Sequence, residues 1–310
     1  MNKPNASFLN GQLFTSMFIS YKDKKKVKWF LLFAAAALLL AVITVSVLFP
    51  HYWFIAGEFL GWRSDRIQMN PIEAPETVEL TLKEIAESGN ITFDQSLMLI
   101  NTEYPLPDDF VPDVAEYKDT GVYMNSCMPK AYQALSSAVA EKYGEKLYIS
   151  SDFRTAEEQE AIQQTDADVA ADPGSSEHEA GLGLDVYVPY FAGFGFIKSD
   201  AGRFVNAECW EYGFIIRYPS FGESETGIPY EPWHIRYVDA PHAKLIYNNH
   251  LTLEEYIQSL EIGLWYEADG YIISRQKPDA EGGLLLPKEY TNAVISPDNT
   301  GCYIITVHSK

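Results

Sequence analysis

Cysteine is scarce in this chain: Cys127, Cys209 and Cys302 are the whole complement of its 310 residues. Three thiols are too few, and odd in number, for the disulfide framework of a small secreted domain, and none has the paired spacing of a zinc–thiolate site. A Cys127–Cys209 bridge and buried free thiols both remain open. Basic residues are outnumbered, 23 Lys and Arg against 43 Asp and Glu, which leaves a net charge of −20. That balance excludes nucleic acid as the expected partner, because phosphate rewards Lys and Arg. Acidity of this kind serves solubility. Internal repeats and low-complexity tracts are absent. Charge-free apolar runs of membrane-spanning length are missing too, with one exception.

That exception is Trp29 to Phe49, 21 residues without a charge. A helix crossing a bilayer needs about 20 such residues. A cleaved signal peptide is the competing reading. Its apolar stretch would be shorter and would end at small residues, whereas this one runs into Phe49-Pro-His-Tyr-Trp-Phe54. An uncleaved anchor is therefore expected. Lys22, Lys24, Lys25, Lys26 and Lys28 precede the run, and positive charge stays cytoplasmic. Residues 1–28 carry a net +5, so the rest of the chain carries −25. The expected organisation is a cytoplasmic basic tail (1–28), a transmembrane helix (29–49) and an outer part from residue 50.

Within the outer part, His178 and Asp185 stand seven apart, separated by Gly181 and Gly183, and Glu231-Pro-Trp-His234 follows. Two imidazoles and a carboxylate are the ligand types of a hydrolytic zinc site, with a fourth position left for water. Seven extended residues span more than about 20 Å, so the chain must fold back between the first two ligands, and glycine makes that inexpensive. Leu184 to Val188 alternates as a strand, with Asp185 on the face opposite Leu184 and Val186. Ile228 to Val238 reads as a second strand interrupted by Pro229 and Pro232, which belong at edges or bulges. A lone histidine is ordinarily a satisfied core or surface residue. His51, His242, His250 and His308 are read that way.

Three ordered motifs carry a resemblance to a known family. They are Ser151-Asp-Phe-Arg154-Thr-Ala-Glu-Glu-Gln159, Ser176-Glu-His178-Glu-Ala-Gly181-Leu-Gly-Leu-Asp185 and Glu231-Pro-Trp-His234. The chain resembles the zinc D-alanyl-D-alanine carboxypeptidases of the VanY type, which share a fold with the hedgehog signalling domain. Leu99 to Asp113 and Tyr212 to Pro219 read like the family as well, so the resemblance runs from about residue 93 to about 261. Departures lie outside the ligands: Asp152 stands where glycine is common, and Glu179-Ala180 where Gln-Thr is common. These bear on substrate subsites rather than on the metal.

The resemblance implies that His178, Asp185 and His234 hold Zn2+ and that Glu231 is general base to a zinc-activated water. It assigns Arg154 to the developing oxyanion, a task suited to a fixed, always-charged fork. Ser176 and Gln159 are candidates for holding the peptide, or for capping and supporting roles. Arg236 is read as an ion-pair partner near the site. The implied substrate is a peptidoglycan stem peptide ending in D-Ala-D-Ala, cleaved outside the cell membrane by an anchored enzyme. An L,D-carboxypeptidase or endopeptidase acting on the same wall peptides is the alternative within this chemistry. A non-catalytic wall-binding module is the alternative outside it.

The expected fold is α+β, with helices packed on a small antiparallel sheet that carries the zinc ligands. Helices are predicted over Pro129–Tyr143, Thr155–Gln164, Asp200–Tyr212 and Thr252–Leu260, and a strand over Leu147–Ser150. Residues 50–92 read as an extracellular stalk leading into a strand at Thr77–Leu82 and a short helix. Residues 93–261 form the carboxypeptidase domain. Residues 262–310, with short apolar runs between Gly, Pro, Asp and Asn, form a small β module of no assigned function. The aromatic phrase Tyr190 to Phe196 suits a subsite wall or a core equally.

Overall fold

The computed structural model describes residues 21–62, 65–165 and 171–309. The first 20 residues of the basic tail lie outside the described residues. The chain divides into two compact units with a boundary at Pro50. The first contains α1, Tyr21–Leu48, free of Pro and Gly throughout. From Lys25 onward it is long and apolar enough to cross a membrane. Two of its hydroxyls are satisfied internally: Thr44 Oγ1 donates to the Leu40 carbonyl at 2.8 Å and Ser46 Oγ to that of Val42 at 2.7 Å. A helix that is apolar on every side is stable either in a core or in lipid.

The second unit opens with α2, Pro50–Phe59, then β1 (Asn70–Ile72), β2 (Thr77–Thr81), α3 (Leu82–Glu87) and β3 (Ile91–Phe93). Next come β4 (Val114–Glu116), β5 (Tyr123–Asn125), α4 (Pro129–Tyr143), β6 (Tyr148–Ser151), α5 (Ala156–Thr165), β7 (Gly183–Tyr187), α6 (Asp200–Glu208) and β8 (Phe214–Ile216). The one-turn α7 (Glu223–Thr226), β9 (His234–Tyr237), α8 (Ala240–Asn249) and α9 (Leu253–Ser259) complete the central part. Five strands close the chain: β10 (Trp265–Ala268), β11 (Tyr271–Gln276), β12 (Gly283–Pro287), β13 (Ala293–Pro297) and β14 (Tyr303–His308).

An antiparallel sheet in the order β6-β7-β9-β8 forms the scaffold of the central part. Leu184, Val186 and Ile235 point from it into a core closed by Tyr132, Leu135 and Val139 of α4 and Val205 of α6. Helix α4 occupies the predicted residues, with Pro129 at its first turn and Gly144 closing it at φ +69°. Helix α5 starts behind Thr155, whose hydroxyl accepts from the Glu158 amide at 3.2 Å while Glu158 accepts from the Thr155 amide at 2.8 Å.

Two element boundaries are corrected. The helix expected over Asp200–Tyr212 stops at Glu208 and tightens into a 3-10 turn over Cys209–Tyr212 before Gly213. The strand expected over 228–238 contracts to His234–Tyr237. Pro229 and Pro232 lack the N–H a ladder needs, and the loop is held instead by Asn206, which donates to the Pro232 carbonyl at 2.9 Å.

The largest correction concerns the ends of the chain. Residues 50–92 are not a stalk, and the C-terminal strands do not stand alone as a module. One six-stranded sheet runs β1-β10-β11-β14-β13-β3, and β2 pairs with β12. The C-terminal apolar strands have unpaired edges that would template association. β1 covers one edge antiparallel and β3 covers the other parallel. The three cysteines are free, so the Cys127–Cys209 bridge does not form. Burial raises the thiol pKa of both residues.

Candidate metal centre

One row of cross-strand partners builds the site. Asp185 on β7 faces His234 on β9 and, on its other side, Ser151 on β6. Directly opposed residues of an antiparallel pair present their side chains on the same face. The third candidate ligand, His178, arrives from a 3-10 turn over Glu177–Ala180 that ends at Gly181 with φ +67°. That left-handed residue turns the chain back into β7, as the spacing required. Gly183 serves a different need. A Cβ there would lie 2.9 Å from His234 Nε2, so the absence of a side chain leaves room for the imidazole.

Ligand atoms of His178, Asp185 and His234 all lie within 4.8 Å of one another. His178 Nδ1 is 2.8 Å from the Asp152 carbonyl oxygen, which can only accept, so Nδ1 carries the proton. The lone pair is therefore on Nε2, 3.6 Å from Asp185 Oδ1. Burial lowers the His178 pKa and favours this neutral form, although Asp185 opposes it. His234 turns its other nitrogen to the cluster, with Nδ1 3.0 Å from Asp185 Oδ1 and Nε2 3.6 Å from Glu177 Oε2. Both His234 Nε2 and Glu177 Oε2 are buried without a hydrogen-bond partner.

The electrostatics point the same way. Burial pulls the His234 pKa down, but Asp185 and Glu177 outweigh it and raise it to about 9. Burial opposes ionisation of Asp185, yet both histidines hold its carboxyl well below the usual range. The cluster is arranged to keep positive charge between its members. Two imidazole nitrogens and a carboxylate oxygen fit a three-ligand metal site with an open position.

Glu231 lies beside this cluster, its Oε2 3.9 Å from His234 Nδ1. Burial raises its pKa, and Asp185 adds to that. A carboxyl lifted toward neutrality suits proton transfer. Arg154 projects from the end of β6 with Nη2 3.8 Å from Asp185 Oδ2. Its fork is fixed by Ser151 Oγ, which accepts from Nε at 3.1 Å and Nη2 at 2.6 Å, and by Gln159 Oε1, which accepts from Nη1 at 3.0 Å. Gln159 also donates to the Ala171 carbonyl at 2.8 Å, so both ends of its amide are occupied in holding Arg154 and the loop. Ser176 lines the same cleft as Arg154, Glu231 and the three ligand candidates, while occupying the N-cap position just before the 3-10 turn.

Sequence reasoning missed Glu177. It is fully buried beneath His234, and its Oε1 accepts from Arg217 Nε at 2.6 Å and from Arg236 Nη1. Arg217 forks onto Glu254 at 2.9 and 2.6 Å. Arg236, read from sequence as an ion-pair partner near the site, also donates to the Ser96 and Met98 carbonyls at 3.0 and 2.7 Å. Burial opposes ionisation of Glu177, but the two guanidiniums hold its carboxyl well below the usual range. A signal for this network does exist in the sequence. Arg217 and Arg236 interrupt apolar strand segments, and a charge there needs a buried partner.

Comparisons with known proteins agree with this geometry. The VanY family, described as D-alanyl-D-alanine carboxypeptidase, matches residues 121–240. The D-alanyl-D-alanine carboxypeptidase of Enterococcus faecium is 31% identical over 199 residues, 57% of this chain and 64% of that enzyme's length. The bifunctional D-Ala-D-Ala dipeptidase and carboxypeptidase VanXYC of Enterococcus gallinarum is 32% identical over 183 residues, 52% of this chain and 93% of its own. Among solved structures, the D,D-dipeptidase VanXYg in complex with a D-Ala-D-Ala phosphinate analogue superposes with a TM-score of 0.57 at 26% identity. That superposition covers 76% of this chain and all of the other. The chain belongs to the VanY family of D-alanyl-D-alanine carboxypeptidases.

Proposed function

We propose that this protein is a membrane-anchored zinc D,D-carboxypeptidase that removes the terminal D-alanine of peptidoglycan stem peptides. One observation carries the reading: His178 Nε2, His234 Nδ1 and an Asp185 oxygen converge while the Glu231 carboxyl stands alongside. Those three side chains would hold Zn2+, which when bound makes a coordinated water more acidic and polarises a carbonyl. Glu231 accepts the proton of the attacking water and returns it to the leaving amine. Burial favours this exchange by bringing its pKa closer to the working range. Arg154, gripped by Ser151 and Gln159, presents a fixed positive fork to the oxygen that gains charge. The Asp152 carbonyl keeps the His178 tautomer, and Glu177 sets a negative charge 3.6 Å behind His234 Nε2. Ser176, at the cleft wall, contacts the bound peptide.

The anchor is α1, with the basic tail cytoplasmic and the second unit outside. Its length, its lack of charge beyond Lys28 and the lysines before it support this orientation. Curated and structural relatives that act on or bind D-Ala-D-Ala support the substrate class.

The test is D-alanine release by the full chain from a pentapeptide ending in D-Ala-D-Ala, with and without a chelator. Release abolished by the chelator and restored by zinc is expected. Glu231→Gln should retain zinc and lose about 10²–10⁴-fold in turnover. Stoichiometric zinc with no release from the pentapeptide would overturn the substrate assignment, and unchanged turnover in Glu231→Gln would overturn the base.

A further inference from the structure

Helix α2 has its polarity reversed. It buries His51, Phe54 and Gly57, with Phe54 packed against Ile197 and Ala207. The opposite side of such a helix ordinarily carries charge. Here it carries Trp53 and Phe59, which are 46% and 56% exposed, and Leu60 and Trp62 follow just past its end at 56% and 68%. Tyr52 and Phe59, like Trp53 and Leu60, are two helical turns apart, so the exposed residues share one side. From Pro50 to Trp62 the only charged residue is Glu58, and it is half-buried.

Sequence continuity says what this surface meets. α1 ends at Leu48 and α2 begins at Pro50, so the chain that leaves the apolar helix enters this face at once. Trp and Tyr favour the boundary between headgroups and acyl chains over either side of it. A helix whose apolar face is exposed there lies in the plane of the interface. We propose that the exposed face of α2 is a membrane-docking surface that seats the folded second unit on the outer headgroup layer. The inference rests on the reading of α1 as a membrane anchor and adds to it. An anchor alone only tethers, whereas a seated α2 orients.

Seating bears on the catalytic cleft through α6. Ala207 of α6 lies under Phe54, and the adjacent Asn206 accepts from the Tyr230 hydroxyl at 2.8 Å and donates to the Pro232 carbonyl at 2.9 Å. Tyr230 and Pro232 flank Glu231. The loop that presents Glu231 and the floor under α2 are therefore neighbouring residues of one helix, and α2 fixes the height of the cleft above the bilayer.

The experiment places nitroxide labels on the full chain in phosphatidylethanolamine/phosphatidylglycerol vesicles and compares accessibility to oxygen and to a water-soluble nickel chelate. Labels go on Trp53→Cys and Leu60→Cys. Leu38→Cys in α1 serves as depth marker and Val111→Cys, at 77% exposure, as aqueous control. Residues 53 and 60 are expected to favour oxygen, as residue 38 does, while residue 111 favours the chelate. Aqueous readings at 53 and 60 beside a lipid reading at 38 would overturn the docking surface and leave the anchor standing. An aqueous reading at 38 together with 53 and 60 overturns both. A measurement with milder substitutions uses lipids brominated near the headgroup. The quenched share of tryptophan fluorescence should fall when Trp53→Phe and Trp62→Phe are combined, and an unchanged share counts against the proposal.

Discussion

The six-stranded and four-stranded sheets of the second unit bury polar groups by opposite means. Behind the four-stranded sheet, Glu177, Arg217, Arg236 and Glu254 are packed as ions, each guanidinium engaged by a carboxylate and Arg236 also by two carbonyls. Inside the six-stranded sheet the buried polar groups are chiefly hydroxyls and amides. Ser274 donates to the Leu264 carbonyl at 2.9 Å, and Ser296 Oγ accepts from the Leu97 amide at 2.9 Å. The sheet's Arg275–Asp298 pair sits where β13 turns toward β14, at the end of the ladder. A neutral core costs less to build. Buried ion pairs are weak evidence for stability because desolvation offsets much of their attraction. The charged core is found where it has something to hold: Glu177 Oε2 faces His234 Nε2, so the ionic cluster extends to a candidate ligand.

The strongest way to break this comparison is to remove one charge from the ionic core. Glu177→Ala leaves two buried guanidiniums short of a partner, and a loss of about 3–5 kcal/mol is expected in denaturant unfolding. Glu177→Gln should recover part of that stability through hydrogen bonds but not the hold on His234. A loss in Glu177→Ala no larger than that of an exposed substitution would show that the ionic core is not structural.

Acid should find the neutral region first. His242 is buried between the Tyr256 hydroxyl at 2.6 Å and Thr306 Oγ1 at 2.9 Å. Burial lowers its pKa from 6.5 to about 4, with Asp239 opposing. The unfolded chain therefore takes up a proton before the folded one does. The stability contributed by neutral His242 is fully present above pH 6.5 and is lost as pH falls toward about 4, by up to roughly 3 kcal/mol. Glu177 and Asp185, both held below the usual carboxylate range, titrate later. A difference in stability between pH 7 and pH 4.5 that shrinks in His242→Gln is the expected outcome. An undiminished difference assigns the acid effect elsewhere.

Legibility in the sequence followed the range of the interactions. Helix α4 was readable to the residue because Pro129, the apolar spacing and Gly144 are local signals. The ligand candidates were readable because motif spacing survives as cross-strand register, Asp185 opposite His234. The pairing of β1 and β3 with strands some 200 residues later was not, since nothing local says which edge a short strand will cover. That is why residues 50–92 read as a stalk. Glu177 was hidden for a related reason. A Glu beside a His in a turn looks solvated until Arg217, just past β8, and Arg236 of β9 arrive.

The smallest effect tests the point at which the ionic core and the ligand cluster touch. Gly183 has no positive φ to require it, so an alanine meets no backbone strain there; what it meets is His234 Nε2 at 2.9 Å and Glu177 Cβ at 3.4 Å. Its cost falls on the orientation of the imidazole rather than on the fold. Gly183→Ala should leave the unfolding midpoint nearly unchanged while weakening zinc by about 10–100-fold, the range typical of disturbed support behind a ligand. Chelator competition reads the affinity and thermal unfolding reads the fold. If both fall together, Gly183 is simply part of the packing and the division between the cores does not reach the candidate metal site. If affinity falls alone, the ionic core acts on His234 through the space that this glycine leaves open.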